Sequence, residues 1–305
     1  MNSVIQVDHL SKRFDNFTAV DDLTFSVQEG EVYGFLGQNG AGKSTTIRMM
    51  LSLIKPSEGS IHIFGLPLEK EREKILSKTG AVVEKPDLYK YLSAYENMKL
   101  FSVLSGLSLS RSEIMRQLAV VGLETRANDN VKVFSQGMKQ RLGIAVALVS
   151  DPSLIILDEP TNGLDPQGIA DMRSLILMLS REHGKTVLVS SHLLSEVEQI
   201  ADSMIIIDRG KKIVEGKVSQ LINPAVVQME IISSDNLYAK EVVMKSEWAA
   251  SMIFASPEKI LLEIQKELIP ELFKFLVQHD VLLVSVRSTN TLESYFLSIT
   301  NGYAV

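Results

Sequence analysis

Apolar and polar positions alternate over residues 4–10 and again over 23–27, which predicts two half-buried antiparallel strands, with Gln28, Glu29 and Gly30 as the turn. Between them Ser11, Lys12, Arg13 and Phe14 read as a loop carrying an aromatic ring. Residues 32–36 form a strand-like run and 46–51 a helical one. Lys55, Pro56, Ser57, Glu58 and Gly59 make a turn, and 60–64 predict a strand closing back on the sheet. The interleaved charges of 69–78 suit a solvated helix face. A short strand at 80–83 runs into a loop marked by Glu84, Lys85, Pro86 and Asp87. From 93 to about 122 the spacing becomes three or four, through Tyr95, Met98, Leu100 and Phe101 and then Ile114, Leu118 and Val121. This predicts a helical insertion, and 142–149 add an apolar helix. Residues 154–157 are wholly apolar, the form of a parallel strand buried on both faces. A turn over 162–166, a helical stripe of Ile169, Met172, Leu175, Ile176 and Leu179, and a strand at 186–190 follow.

Strands alternating with helices predict an α/β fold over 1–220, with a mixed sheet core, an antiparallel β subdomain and a helical subdomain at about 85–150. Residues 221–305 predict a second, small α+β domain. Its strands fall at 226–232, 251–255, 259–264 and 281–286, with helices at 235–245 and 270–278. That order, βαββαβ, matches a split βαβ or ferredoxin-like unit. A last helix starts at a capping-box-like pair, Asn290 and Glu293, and carries Leu292, Tyr295, Phe296 and Ile299 on one face. This stripe is expected to pack on its own domain or on a second subunit.

The 305 residues are 45% hydrophobic, enough for a substantial core. A net charge of −6 without a block of five like charges argues against a nucleic-acid-binding face and against a basic membrane-surface helix. No uncharged run approaches the ~18 to 20 residues of a membrane-spanning helix, and the N-terminus has no signal-peptide pattern, so a soluble, cytoplasmic chain is expected. The absence of cysteine excludes disulfides, thiolate metal sites and cysteine nucleophiles. The five histidines are scattered and suggest no metal site.

Chemistry concentrates at GQNGAGKST, residues 37–45, which fits G-x-x-x-x-G-K-[ST] between a predicted strand and a predicted helix. Gly37, Gly40 and Gly42 let the backbone around Gln38, Asn39 and Ala41 curl, so that N–H groups and the helix N-terminus face a polyphosphate. Lys43 would then reach the β- and γ-phosphates, and Ser44, followed by Thr45, would ligate Mg²⁺. At the end of the strand 154–157, Asp158 would hold Mg²⁺ directly or through water, and Glu159 would orient or deprotonate a water attacking the γ-phosphate. His192 follows another predicted strand and is placed to contact the γ-phosphate. Ser135 and Gly137 head a helix, a second anion site or an ordinary N-cap. Phe14 suits stacking on a base, or a place in the core.

Together these residues resemble the nucleotide-binding subunit of an ABC transporter over roughly 3–220. The resemblance implies a P-loop ABC-type ATPase fold with ATP and Mg²⁺. It makes 37–45 the Walker A motif, Asp158 and Glu159 the Walker B aspartate and catalytic glutamate, Asp165 the D-loop, His192 the switch histidine and Phe14 the adenine-stacking aromatic. Ser135 and Gly137 match the signature that acts on ATP bound by the opposite subunit. A second ATP-binding subunit, identical or not, and integral-membrane permease subunits are therefore the expected partners, holding the chain at the inner face of the membrane. Two departures stand out: the signature is FSQGM, with Gln136 and Met138 in place of a glycine and a glutamine, and Glu84 occupies the Q-loop position associated with Mg²⁺. With Tyr95, Glu96 and Asn97 these resemble the bacitracin-resistance branch of drug exporters, and LESYFL at 292–297 resembles the tail of exporter-type subunits. The implied function is ATP-driven export of a peptide antibiotic, drug or lipid-like compound. The alternatives are a soluble ABC-type ATPase working on a protein scaffold and a weakly active regulatory ATP-binding module.

Overall fold

Strands β1 (Ser3–Phe14) and β2 (Phe17–Gln28) pair as one long antiparallel hairpin. The segment from Ser11 to Phe14, expected as a loop, is the end of β1. Register shifts between Val7, Leu10, Lys12 and Arg13 interrupt the alternation that would have marked it as strand. The structure is a computed structural model and describes residues 3–221 and 226–288. The capping pair at Asn290 and the apolar stripe through Ile299 lie outside the described residues.

Next come β3 (Val32–Leu36), α1 (Lys43–Met50), β4 (Glu58–Ile63), β5 (Leu66–Pro67), α2 (Arg72–Leu76) and β6 (Thr79–Val82). Helices α3 (Ala94–Leu104), α4 (Arg111–Val120) and α5 (Gln136–Ala147) form the insertion. Then β7 (Leu154–Asp158), α6 (Pro166–Arg181), β8 (Thr186–Ser191), α7 (Leu194–Glu198), β9 (Ser203–Asp208) and β10 (Lys211–Lys217) complete the first of two compact units, Met1–Lys217. One sheet has the order β2-β1-β4-β5 and is antiparallel. The other runs β10-β9-β3-β8-β7-β6, parallel except for the β9-β10 hairpin at its edge.

In this larger sheet β3, β7 and β8 are buried at every position, because both faces are covered. Period two divides their side chains: Ile155, Leu157, Val187 and Val189 join the core beneath the helical insertion. Leu154, Ile156, Leu188, Tyr33 and Phe35 join the core shared with the antiparallel sheet. Both faces are thus pinned, so the C-terminal ends of β3, β7 and β8 lie side by side. Each of α3 and α4 starts with a complete capping box, Ser93 with Glu96 and Ser110 with Glu113. Buried Asn97 ties its amide to the Tyr89 N–H (2.9 Å) and carbonyl (3.1 Å), bracing the loop that enters α3.

At the N-terminal side of β3, away from residues 37–45, burial pushes the Glu31 carboxyl above its usual range despite a hydrogen bond from the Gln28 N–H. Among the described residues no helix is long and apolar enough to cross a membrane.

The second unit, Val218–Val305, holds α8 (Val218–Leu221), β11 (Val226–Ser233), α9 (Asn236–Met244), β12 (Met252–Ala255), β13 (Ile260–Gln265), α10 (Ile269–Gln278) and β14 (Leu283–Ser288). Its antiparallel sheet has the order β12-β13-β11-β14. Strand β13 thus lies between β11 and β12, the split βαβ arrangement. Trp248, Leu272 and Leu276 are buried with one face of that sheet.

Candidate active site

The loop after β3 is tied to β8 by a hydrogen bond from the Gly37 N–H to the Ser191 carbonyl (3.3 Å) and closes on itself through Ala41 N–H to the Gln38 carbonyl (3.1 Å). Gly42 has φ 106°, and a Cβ there would lie 2.6 Å from the Ala19 carbonyl oxygen, so only glycine can make this turn. It is the N-cap of α1 and has no side chain to satisfy the first turn. The N–H groups of Lys43, Ser44 and Thr45 therefore have no helical carbonyl behind them, which is the requirement for holding an anion. Gln38, Asn39 and Gly40 are exposed around this cradle.

Lys43 is 4% exposed. Its Nζ donates to the carbonyls of Gly37 (2.7 Å) and Gln38 (3.2 Å) and lies 3.2 Å from Glu159 Oε1. The other Glu159 oxygen is 2.8 Å from His192 Nδ1. Three expected residues, from α1, the end of β7 and the end of β8, thus meet at one carboxylate. Glu159 is held there with φ 49°, a left-handed backbone that a glutamate adopts only under constraint. The constraint includes Ser190, whose Oγ accepts from the Glu159 N–H (2.9 Å) and donates to Asp158 Oδ1 (2.5 Å).

Asp158 is 2% exposed, and its second oxygen, Oδ2, is buried with no hydrogen-bond partner. An orphaned carboxylate oxygen is costly unless something binds it. A divalent cation fits. Among the described residues no cluster of three or more metal-ligating side chains exists. Magnesium needs none, since it is commonly held by one or two carboxylates and the substrate's phosphates.

Ser135 and Gly137 lie in a different groove of about 390 Å³, with Gln136, Asp165, Gly168 and Asp171 among its lining residues. Ser135 caps α5 by accepting from the Met138 N–H (3.2 Å), and Asp165 caps α6 by accepting from the Gly168 N–H (3.1 Å). A Cβ on Gly137 would meet nothing nearer than Leu164 Cδ2 at 3.8 Å, so packing within the chain does not require glycine there.

Residues 20–162 match the family described as ABC transporter. The chain is 40% identical over 306 residues to the uncharacterised ABC transporter ATP-binding protein YhcH of Bacillus subtilis, covering 98% of this chain and 97% of that protein. The chain belongs to the ABC transporter ATP-binding proteins. It is likewise 40% identical over 306 residues to the bacitracin transport ATP-binding protein BcrA of Bacillus licheniformis, covering 99% of each. A solved dimer of an ATP-binding cassette in a post-hydrolysis state, bound to ADP and Pi, superposes with TM-score 0.63 at 27% identity, over 70% of this chain and 98% of that one.

As an ABC transporter ATP-binding protein, an ATPase whose partner is a membrane permease, the chain leaves two further expected residues apart from the carboxylate cluster. Phe14 ends β1, 45% exposed, with Lys12 Nζ 4.8 Å above its ring. Glu84, expected beside the phosphates and Mg²⁺, has its carboxylate engaged by Arg48 of α1. Ser190 and Arg48 were not among the expected site residues. The only mark of Ser190 in the sequence is a hydroxyl beside that of Ser191 at the end of a buried strand, with nothing to single it out.

Ser190→Ala would leave the Glu159 N–H and Asp158 Oδ1 without their shared partner. The Mg²⁺ concentration for half-maximal ATP hydrolysis is expected to rise about 10- to 100-fold, the usual cost of losing a ligand's supporting partner, with the fold retained by circular dichroism. An unchanged Mg²⁺ titration would show that Ser190 only packs.

Proposed function

We propose that this chain hydrolyses Mg²⁺-bound ATP in a site completed by a second ATP-binding subunit, and drives a separate permease that exports a peptide antibiotic or a similar amphipathic compound. The observation that carries the reading is the convergence of Lys43 and His192 on the two oxygens of Glu159. The full-length similarity to a bacitracin transport protein supports a peptide as cargo.

In this reading the loop N–H groups and Lys43 bind the β- and γ-phosphates, and Phe14 stacks on adenine. Ser44 and Asp158 would hold the magnesium ion, Asp158 through Oδ2, and when bound it neutralises charge between the β- and γ-phosphates. Glu159 accepts the proton of the attacking water, the γ-phosphoryl group passes to that water, and ADP and phosphate leave. His192 keeps the carboxylate aligned through Nδ1. Ser135 and Gly137 of the opposite subunit supply the remaining phosphate contacts through the N-terminus of α5. Asp165 lies beside them in that groove. Residues up to about 220 are the ATP-binding domain and the remainder, from the unit that begins at Val218, an accessory domain, with the permease holding the complex at the inner face of the membrane.

Purification of the tagged chain from detergent-solubilised membranes of its own cells is expected to recover an integral-membrane protein that raises its ATP turnover. Loss of the chain should sensitise those cells to bacitracin-like peptides. Recovery of a soluble scaffold alone, with unchanged peptide sensitivity, would favour the non-transport alternative.

A further inference from the structure

Arg48 stands in the last turn of α1, five residues after Lys43 and so about 7.5 Å along the axis at the usual rise of about 1.5 Å per residue. Its guanidinium engages Oε1 of Glu84, which lies just beyond β6 with a left-handed φ of 58°. That backbone setting fixes the direction in which the side chain leaves the loop. The two side chains are 41% and 62% exposed, and an ion pair so open to water adds little to the stability of the fold. Its effect is better sought in charge. A carboxylate within roughly one Debye length, about 8 Å at physiological salt, of a triphosphate disfavours binding unless a cation accompanies it. A neutral side chain at position 84 would need no such companion.

We infer that Arg48 is a positioning residue that holds the Glu84 carboxylate against α1 and neutralises it, so that ATP binds beside the loop carrying Glu84 without facing that negative charge unpaired. The inference rests on the reading that residues 37–45 bind the phosphates of ATP. Departure of Glu84 from Arg48 would bring back the repulsion, so binding of ATP and retention of this pair are linked.

Isothermal titration of the full chain with ATP, with and without Mg²⁺, tests this on Arg48→Gln, Glu84→Gln and the double variant. Arg48→Gln is expected to weaken ATP binding about 3- to 10-fold at low salt, a range suited to one partly solvated charge, with the deficit vanishing near 1 M salt, where the Debye length is about 3 Å. Glu84→Gln alone, which leaves the Arg48 cation unpaired, should bind ATP more tightly than the wild type at low salt, and adding it to Arg48→Gln should restore binding. The inference is overturned if Arg48→Gln binds normally, or if its deficit persists in the double variant or in high salt. Lys43→Ala separates the two levels. Equal ATP binding by the wild type and Lys43→Ala would remove the phosphate-site reading, whereas a normal wild type and a defective Lys43→Ala leave the Arg48 outcome to decide this inference.

Discussion

Replacing Glu159 with glutamine is expected to cut ATP turnover by about 10²- to 10⁴-fold, the span for loss of a general base, while ATP binding survives. The geometry separates the two effects. Glu159 touches Lys43 through Oε1 and His192 through Oε2, so an amide of the same shape can still meet one of them but no longer accepts a proton from water. The proposed phosphate cradle depends on the glycine turn and the first turn of α1, which the substitution leaves alone. Removing a negative charge beside the polyphosphate gives no reason for weaker binding. Phosphate release and a nucleotide titration on the same preparation check both halves. Hydrolysis within severalfold of the wild type would mean that water is activated elsewhere.

The residues of this cluster were legible in the sequence because Glu159 and His192 each follow the end of a strand and Lys43 stands at the end of the glycine-spaced loop that opens α1. A phosphate loop needs glycines at set intervals, and the apolar run 154–157 hands directly to Asp158 and Glu159. What escaped notice did so for physical reasons. Ser190 acts from inside a strand, where a small hydroxyl is compatible with burial and carries no spacing signal. Arg48 lies in a helical run whose apolar neighbours face the core, and its partner Glu84 is 36 residues away, a pairing that only the packing of β6 beside β7 brings about. The end of β1 was obscured by its register shifts. The order of strands in the large sheet, with β3 between β8 and β9, is a long-range choice that no local pattern encodes. The hairpin of β9 and β10 was not anticipated either: in its Arg209-Gly210 turn both residues have positive φ, but arginine is not one of the residues that mark such a turn in a sequence.

Gly137→Asp is the second change with a large expected effect. The site has room for a Cβ, and an acidic group in the first turn of α5 favours the helix dipole, so the fold should be retained. The same negative charge would oppose a phosphate brought up by another subunit. Turnover is expected to fall by about 10²-fold or more, comparable with losing a preorganised anion contact, although Lys43 and Glu159 are untouched. Normal turnover would mean that the groove of Ser135 and Gly137 takes no part in hydrolysis.

The claim that the site is shared between subunits is tested most directly by mixing Lys43→Ala with Gly137→Asp, each inactive alone, and measuring ATP hydrolysis of the equimolar sample. If the chain pairs with itself, half of the randomly assembled dimers carry one intact site built from the loop of one chain and the signature of the other. Recovery of about one quarter of the wild-type rate is then expected for a two-fold assembly. A mixture that hydrolyses ATP no faster than the average of its two components, under conditions where they associate, would contradict it.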